Sequence, residues 1–169
     1  MFSSRKIRAV VISGVAVAAA LTMTAGQSAA ASGCFTVSGR YTEHAVPGPE
    51  CLSPVGLCIA GTYRGDISGS LRGSATTVTP TADTFATTSV LTFTSDSTIT
   101  GAVKGNRGTL VVKNAEVFTT LPDGSIVDLQ TIVGGTGRLA GARGFVRASG
   151  TFSAVSGGTS EYEGSVCVG

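Results

Sequence analysis

The chain has 169 residues, 24 of them glycine, with twelve Lys and Arg against ten Asp and Glu for a formal charge of +2. That near balance, with no basic run, excludes a nucleic-acid-binding face, and the length admits one domain with one core. Trp is absent, and Gly, Thr, Ser and Val dominate without any apolar run of helical period, so an α-helical fold is excluded as well.

Residues 1–31 form a secretory signal peptide by pattern: a basic start at Arg5, Lys6 and Arg8, an apolar run over 9–21, and the small residues Ser28, Ala29, Ala30 and Ala31. Thr22, Thr24, Gln27 and Ser28 interrupt the run before it reaches the roughly 20 apolar residues of a spanning helix, so no membrane partner is expected after removal. No twin-arginine pair is present, which makes the general secretory route the expectation. Ala31, Ser32 and Gly33 before Cys34 also resemble a lipoprotein cleavage box. Lipidation there would leave three cysteines, an odd number in an oxidising compartment. Taking the three leader cations from twelve leaves nine against ten carboxylates, a net charge of −1 for the domain over 32–169.

Alternate side chains of a strand point to opposite faces, so parity assigns the rest. Over 34–43 it puts Phe35, Val37, Gly39, Tyr41 and Glu43 inward and Thr36, Ser38, Arg40 and Thr42 outward. Pro47, Pro49 and Pro54 make 44–55 an irregular loop. The alternation over 59–71 predicts one strand with Ile59, Gly61, Tyr63, Gly65, Ile67, Gly69 and Leu71 on one face, strongly bent at its glycines. A Thr-rich edge segment or loop over 76–87 follows, then a strand over 90–99, and a turn over 101–108 with Asn106 at its tip. The next strand, 109–120, places Leu110, Val112, Asn114, Glu116 and Phe118 on one face.

Pro122, Asp123 and Gly124 predict a tight turn into a strand over 125–133, which pairs back as a hairpin. A glycine-dense corner over 134–144 joins it to a strand over 145–155, and a Gly157-Gly158 turn leads to the last strand, 160–168. Seven or eight strands in meander order predict an all-β fold, a single eight-stranded antiparallel β-barrel. The cysteines fit closure. Cys51 and Cys58 form a local clip, and Cys34 and Cys167, both on outward parity, tie the first strand to the last across the seam. With one histidine and no Cys-x-x-Cys spacing, no metal site is expected.

No nucleophile-base motif appears, and the Gly134–Gly137 run lacks the following helix and Lys of a phosphate loop, so neither a nucleotide nor another cofactor is expected. The carboxylates Glu43 and Glu116 fall on apolar faces together with Tyr41 and Asn114, a set to which Tyr63 and Tyr162 are candidates to add. Inside a barrel they would be desolvated and shifted upward, the pattern of a functional pocket. The alternative is a bulge that inverts the parity, or a solvated barrel mouth. His44 is either a solvated loop residue or an acid or base at that mouth. Asp66, Asp128, Arg64, Arg138 and Arg143 are expected on the outer face or in corner hydrogen bonds. A connected cavity lined by Phe35, Tyr41, Tyr63, Leu110, Phe118 and Val166 would mark a ligand site; a closed core would mark a structural barrel. No exposed apolar strip stands out, which leaves homo-oligomerisation open.

Val133-Gly134-Gly135-Thr136-Gly137-Arg138, followed by Ala142-Arg143-Gly144-Phe145, resembles the glycine motif shared by dirigent proteins and allene oxide cyclases. Weaker likeness extends to Gly61-Thr62-Tyr63, Gly108-Thr109-Leu110 and Glu161-Tyr162-Glu163-Gly164, covering roughly 57–168. The cysteine-bearing ends look like exported bacterial members. The resemblance implies an eight-stranded barrel that holds an apolar small molecule and steers its cyclisation or coupling by shape. In the cyclases an early-strand glutamate lies in the pocket, which makes Glu43 the candidate catalytic residue, with Tyr41, Tyr63, Asn114, Glu116 and Phe118 as ligand-binding residues.

Overall fold

Alternating β-branched residues between glycine and proline breaks give eight antiparallel strands in a computed structural model that describes residues 33–81, 89–120 and 124–169. They are β1 (Gly33–Ala45), β2 (Cys58–Gly65), β3 (Ile67–Pro80), β4 (Val90–Val103), β5 (Asn106–Thr119), β6 (Ser125–Gly135), β7 (Arg143–Ser153) and β8 (Gly157–Val168). Each strand pairs with the next and β1 pairs with β8, so the sheet is a closed barrel with no free edge.

Several boundaries differ from the pattern, among them the last turn, which falls at 154–156 between β7 and β8, so that Gly157 and Gly158 already belong to β8. The stretch 59–71 is two strands, not one: a hairpin turns at Asp66, which accepts the Ser38 N–H at 3.0 Å and pairs with Lys104 at 2.6 Å. The Lys104 ammonium, and after it Ser38, hold the Asp66 carboxyl below its usual range. The turn is invisible to parity because Tyr63 and Ile67 both face inward across it. The Thr-rich segment continues β3 as far as Pro80 through a bulge between Ala75 and Thr77, and residues 82–88 lie outside the described ones. The next turn is Lys104-Gly105, both at positive φ, with Asn106 already paired to Val103 in β5, not at the tip. His44 belongs to β1 instead of the loop and is exposed on the outer wall. The Pro122-Asp123 part of the predicted turn lies outside the described residues; Gly124 takes a φ of +65°.

The wall coils where glycines face one another. Gly39 is opposite Gly65 and Gly69 is opposite Gly101, and a Cβ at Gly39, Gly69 or Gly101 would overlap a carbonyl of the facing strand. Cys34 and Cys167 sit in register on β1 and β8 and form the seam disulfide, while Cys51–Cys58 clips the loop before β2.

The glycine corner has a packing function. A 3₁₀ turn over Gly137–Leu139 folds Leu139 back under the barrel, where Leu139 and Ala142 join Val37, Ile67, Val103 and Val166 in an apolar floor. The lumen is therefore closed at the end where β1 begins and β8 finishes.

Candidate functional site

Above the floor the interior changes character in layers. The first is aromatic: Tyr41 and Tyr63 stack with ring centres 4.7 Å apart, and Tyr162 tilts against Tyr63 at 5.3 Å. The Tyr162 hydroxyl accepts the Ile67 N–H at 2.9 Å and donates to the Ile67 carbonyl at 3.1 Å, which latches β8 to the β2–β3 hairpin.

The second layer is polar and buried, and holds three carboxyl groups. Glu43 comes from β1, Glu116 from β5 and Asp128 from β6, the last two directly opposite each other in register. Tyr63 donates to Gln130 Oε1 at 2.8 Å, and Gln130 Nε2 donates to Asp128 Oδ2 at 2.7 Å. Asn114 donates to Ser95 Oγ at 2.8 Å and to Ser97 Oγ at 2.7 Å, and Ser95 donates to Glu116 Oε1 at 2.8 Å. Among the described residues two buried carboxyl oxygens of this layer are left without a partner, Glu43 Oε1 and Asp128 Oδ1, while Ser160 faces the Tyr41 hydroxyl across the β1–β8 seam. Over this layer Phe118 stands edge-on to Phe93 at 6.1 Å and to Phe152 at 6.0 Å, and with Leu57, Ile59 and Ile126 they form an apolar mouth.

Burial disfavours the charged form of each acid. It pushes the Glu43 carboxyl up to about 7, with Glu116 adding to it. Asp128 is pushed up to about 8, by burial first and then by Glu116, against the Gln130 hydrogen bond and with a further push from Glu43. Glu116 is raised by burial, against its hydrogen bond from Ser95. Burial also drives the Tyr41 and Tyr63 hydroxyls well above their ordinary range. At neutral pH the layer thus carries carboxylic acids able to donate a hydrogen bond, with Glu43 close to half-protonated. Among the described residues no three His, Cys, Asp or Glu side chains are placed to share a metal ion.

Parity brought Glu43, Tyr41, Tyr63 and Asn114 together correctly; all four are buried, with Glu116 and Phe118 half-buried beside them. The predicted lining is otherwise revised. Leu110 and Val166 lie in the floor and Phe35 packs against the core, so neither of the two lumen cavities formed by the described residues connects all six lining residues. Asp128 is in the lumen and not on the outer wall, and with Gln130, Ser95 and Ser97 it completes the polar layer. The register held the missing signal. Residues opposite one another across a hairpin share a face, so an inward Glu116 requires an inward Asp128.

Free space is small: about 10 Å³ in the polar layer and about 30 Å³ in the mouth, room for a water molecule or two. A larger hollow, about 730 Å³, is a shallow depression of the outer wall by Arg40, Arg64 and Glu161, away from the buried acids. No protein family, curated protein or solved structure matches the chain.

Proposed function

We propose that the barrel is exported and holds the polar end of an apolar small molecule against its carboxylic-acid layer, with the hydrocarbon part in the phenylalanine mouth. The observation that carries this reading is a pair of unpartnered buried carboxyl oxygens, Glu43 Oε1 at the base of the apolar mouth and Asp128 Oδ1 in the polar layer that Glu43 also lines. Buried polar atoms are normally satisfied, and orphans gathered in one place fit a missing partner that carries its own oxygen. Glu43, with a pKa of about 7, suits a group that lends a proton or hydrogen bond to that oxygen at neutral pH. Asn114 has both donors engaged by Ser95 and Ser97, so its part is to hold the network. Any chemistry is cyclisation or stereocontrol by confinement, as the likeness to the allene oxide cyclase and dirigent motif implies. Export rests on the basic, apolar and small-residue order of the first 31 residues together with two disulfides.

A second reading is favoured by the small free volume: a barrel with a filled interior that acts as an extracellular structural or binding module. Native mass spectrometry of the protein from its own culture separates the two. A bound organic molecule, lost in Glu43→Gln and Asp128→Asn variants, is the expected result. A bare chain mass, with no organic material released on denaturation, supports the filled barrel instead.

A further inference from the structure

Gln130 sits on β6 two residues beyond Asp128, opposite Asn114 of β5 and Val146 of β7, and is buried. Its amide is a directional link. The Tyr63 hydroxyl donates to Oε1 at 2.8 Å, and Nε2 donates to Asp128 Oδ2 at 2.7 Å. An amide oxygen only accepts and an amide nitrogen only donates, so Tyr63 sets which way the amide points and the amide sets which Asp128 oxygen is the acceptor. A neutral carboxyl has one O–H. On Oδ2 it would be set against the Gln130 N–H, so it belongs on Oδ1, the oxygen left without a partner. The facing strands repeat the arrangement. Asn114 donates to Ser95, and Ser95 donates to Oε1 of Glu116, which lies opposite Asp128. Two hydrogen-bond chains thus end on one oxygen each of a cross-strand acid pair.

We propose that Gln130 is a positioning residue: it keeps Asp128 Oδ2 as an acceptor and so fixes the acid proton of Asp128 on Oδ1, where it points an O–H donor into the polar layer. That the oxygen of a bound molecule receives this hydrogen bond rests on the function proposed above. The titratable groups around Asp128 are Glu116 from β5, Glu43 and Tyr41 from β1 and Tyr63 from β2, while β7 presents Ala148. None of these is a cation. The hydrogen bond from Gln130 is therefore what favours the ionised form of Asp128 against burial and its acidic neighbours.

Carbon-13 NMR of the Asp128 carboxyl, identified by its loss in Asp128→Asn, tests this on the protein alone. The wild-type midpoint, about 8, should rise by about one to two units in Gln130→Met, because the ionised form loses a hydrogen bond made to a charged group. A fall would mean that Asp128 donates to Gln130 from Oδ2, and an unchanged midpoint with a lower melting temperature would reduce Gln130 to packing; either overturns the proposal. If Gln130→Met fails to fold, the infrared difference between wild type and Asp128→Asn at roughly pH 6, below that midpoint, decides. A protonated Asp128 whose C=O accepts from Gln130 absorbs below the frequency of a free carboxyl C=O; absorption at the free position overturns the proposal. A bare chain in native mass spectrometry would remove the bound molecule and leave the midpoint shift standing, so the two readings fail separately.

Discussion

Glu43 and Asp128 together set how the barrel responds to pH. The Glu43 carboxyl rises from 4.5 to about 7 and that of Asp128 from 3.8 to about 8, so between those limits the folded chain binds more protons than the unfolded one. Stability is then fully present below about pH 4 and falls as pH rises through 7 to 8, the reverse of ordinary acid denaturation. Glutamine mimics the neutral acid. Glu43→Gln should therefore raise stability at pH 8.5 by up to about 3 kcal/mol and change little at pH 4.5. Urea titrations at the two pH values check this; an equal shift at both would mean that Glu43 stays ionised in the fold. Glu43 was legible because β1 alternates without a break, whereas Asp128 was not. In β6 the outward set Val127, Leu129, Thr131 and Val133 is on average more apolar than the inward set Ile126, Asp128, Gln130 and Ile132, so hydrophobicity selects the wrong face and only the pairing with β5 corrects it.

At the scale of elements, the glycine corner was readable as a junction of two strands, but its plug was not. Nothing in the spacing says that Leu139 folds back into the lumen, since that depends on how closely the corner approaches β5. A Cβ on Gly135 would overlap the Leu139 carbonyl and come within 2.7 Å of the Thr109 carbonyl, while a Cβ on Gly134 would meet nothing within 4 Å. Two adjacent glycines thus answer to different constraints. Gly135→Ala should fold poorly or lose several kcal/mol, as overpacking against backbone does. Gly134→Ala should be neutral or slightly stabilising, because a strand gains from losing a glycine. Thermal unfolding of the pair checks this, and equal melting temperatures would refute the plug. The Gly65-Asp66 hairpin escaped the sequence for the opposite reason: its turn keeps the inward set in phase, so a bend looked like a continuation.

For the whole molecule the governing fact is closure, which the strand count and the cysteines both foretold. The register over which β1 meets β8 spans Gly33 to Glu43, and the disulfide sits at the end of that ladder where β1 begins and β8 finishes, the point from which the pairing would fray. Cys34 and Cys167 are 133 residues apart and Cys51 and Cys58 only seven, so the seam bond restricts the unfolded chain far more. By the loop-closure relation the first is worth about 5 kcal/mol and the second about 2.5 kcal/mol, with measured values often lower. Replacing Cys34 and Cys167 together by serine should therefore lower the urea midpoint about twice as far as replacing Cys51 and Cys58. The slope of the unfolding transition should also rise in the seam variant, because its unfolded chain opens further. Equal midpoints for the two double variants would show that the β1–β8 ladder closes the barrel without its disulfide, and that the stability of the seam lies in the strand pairing alone.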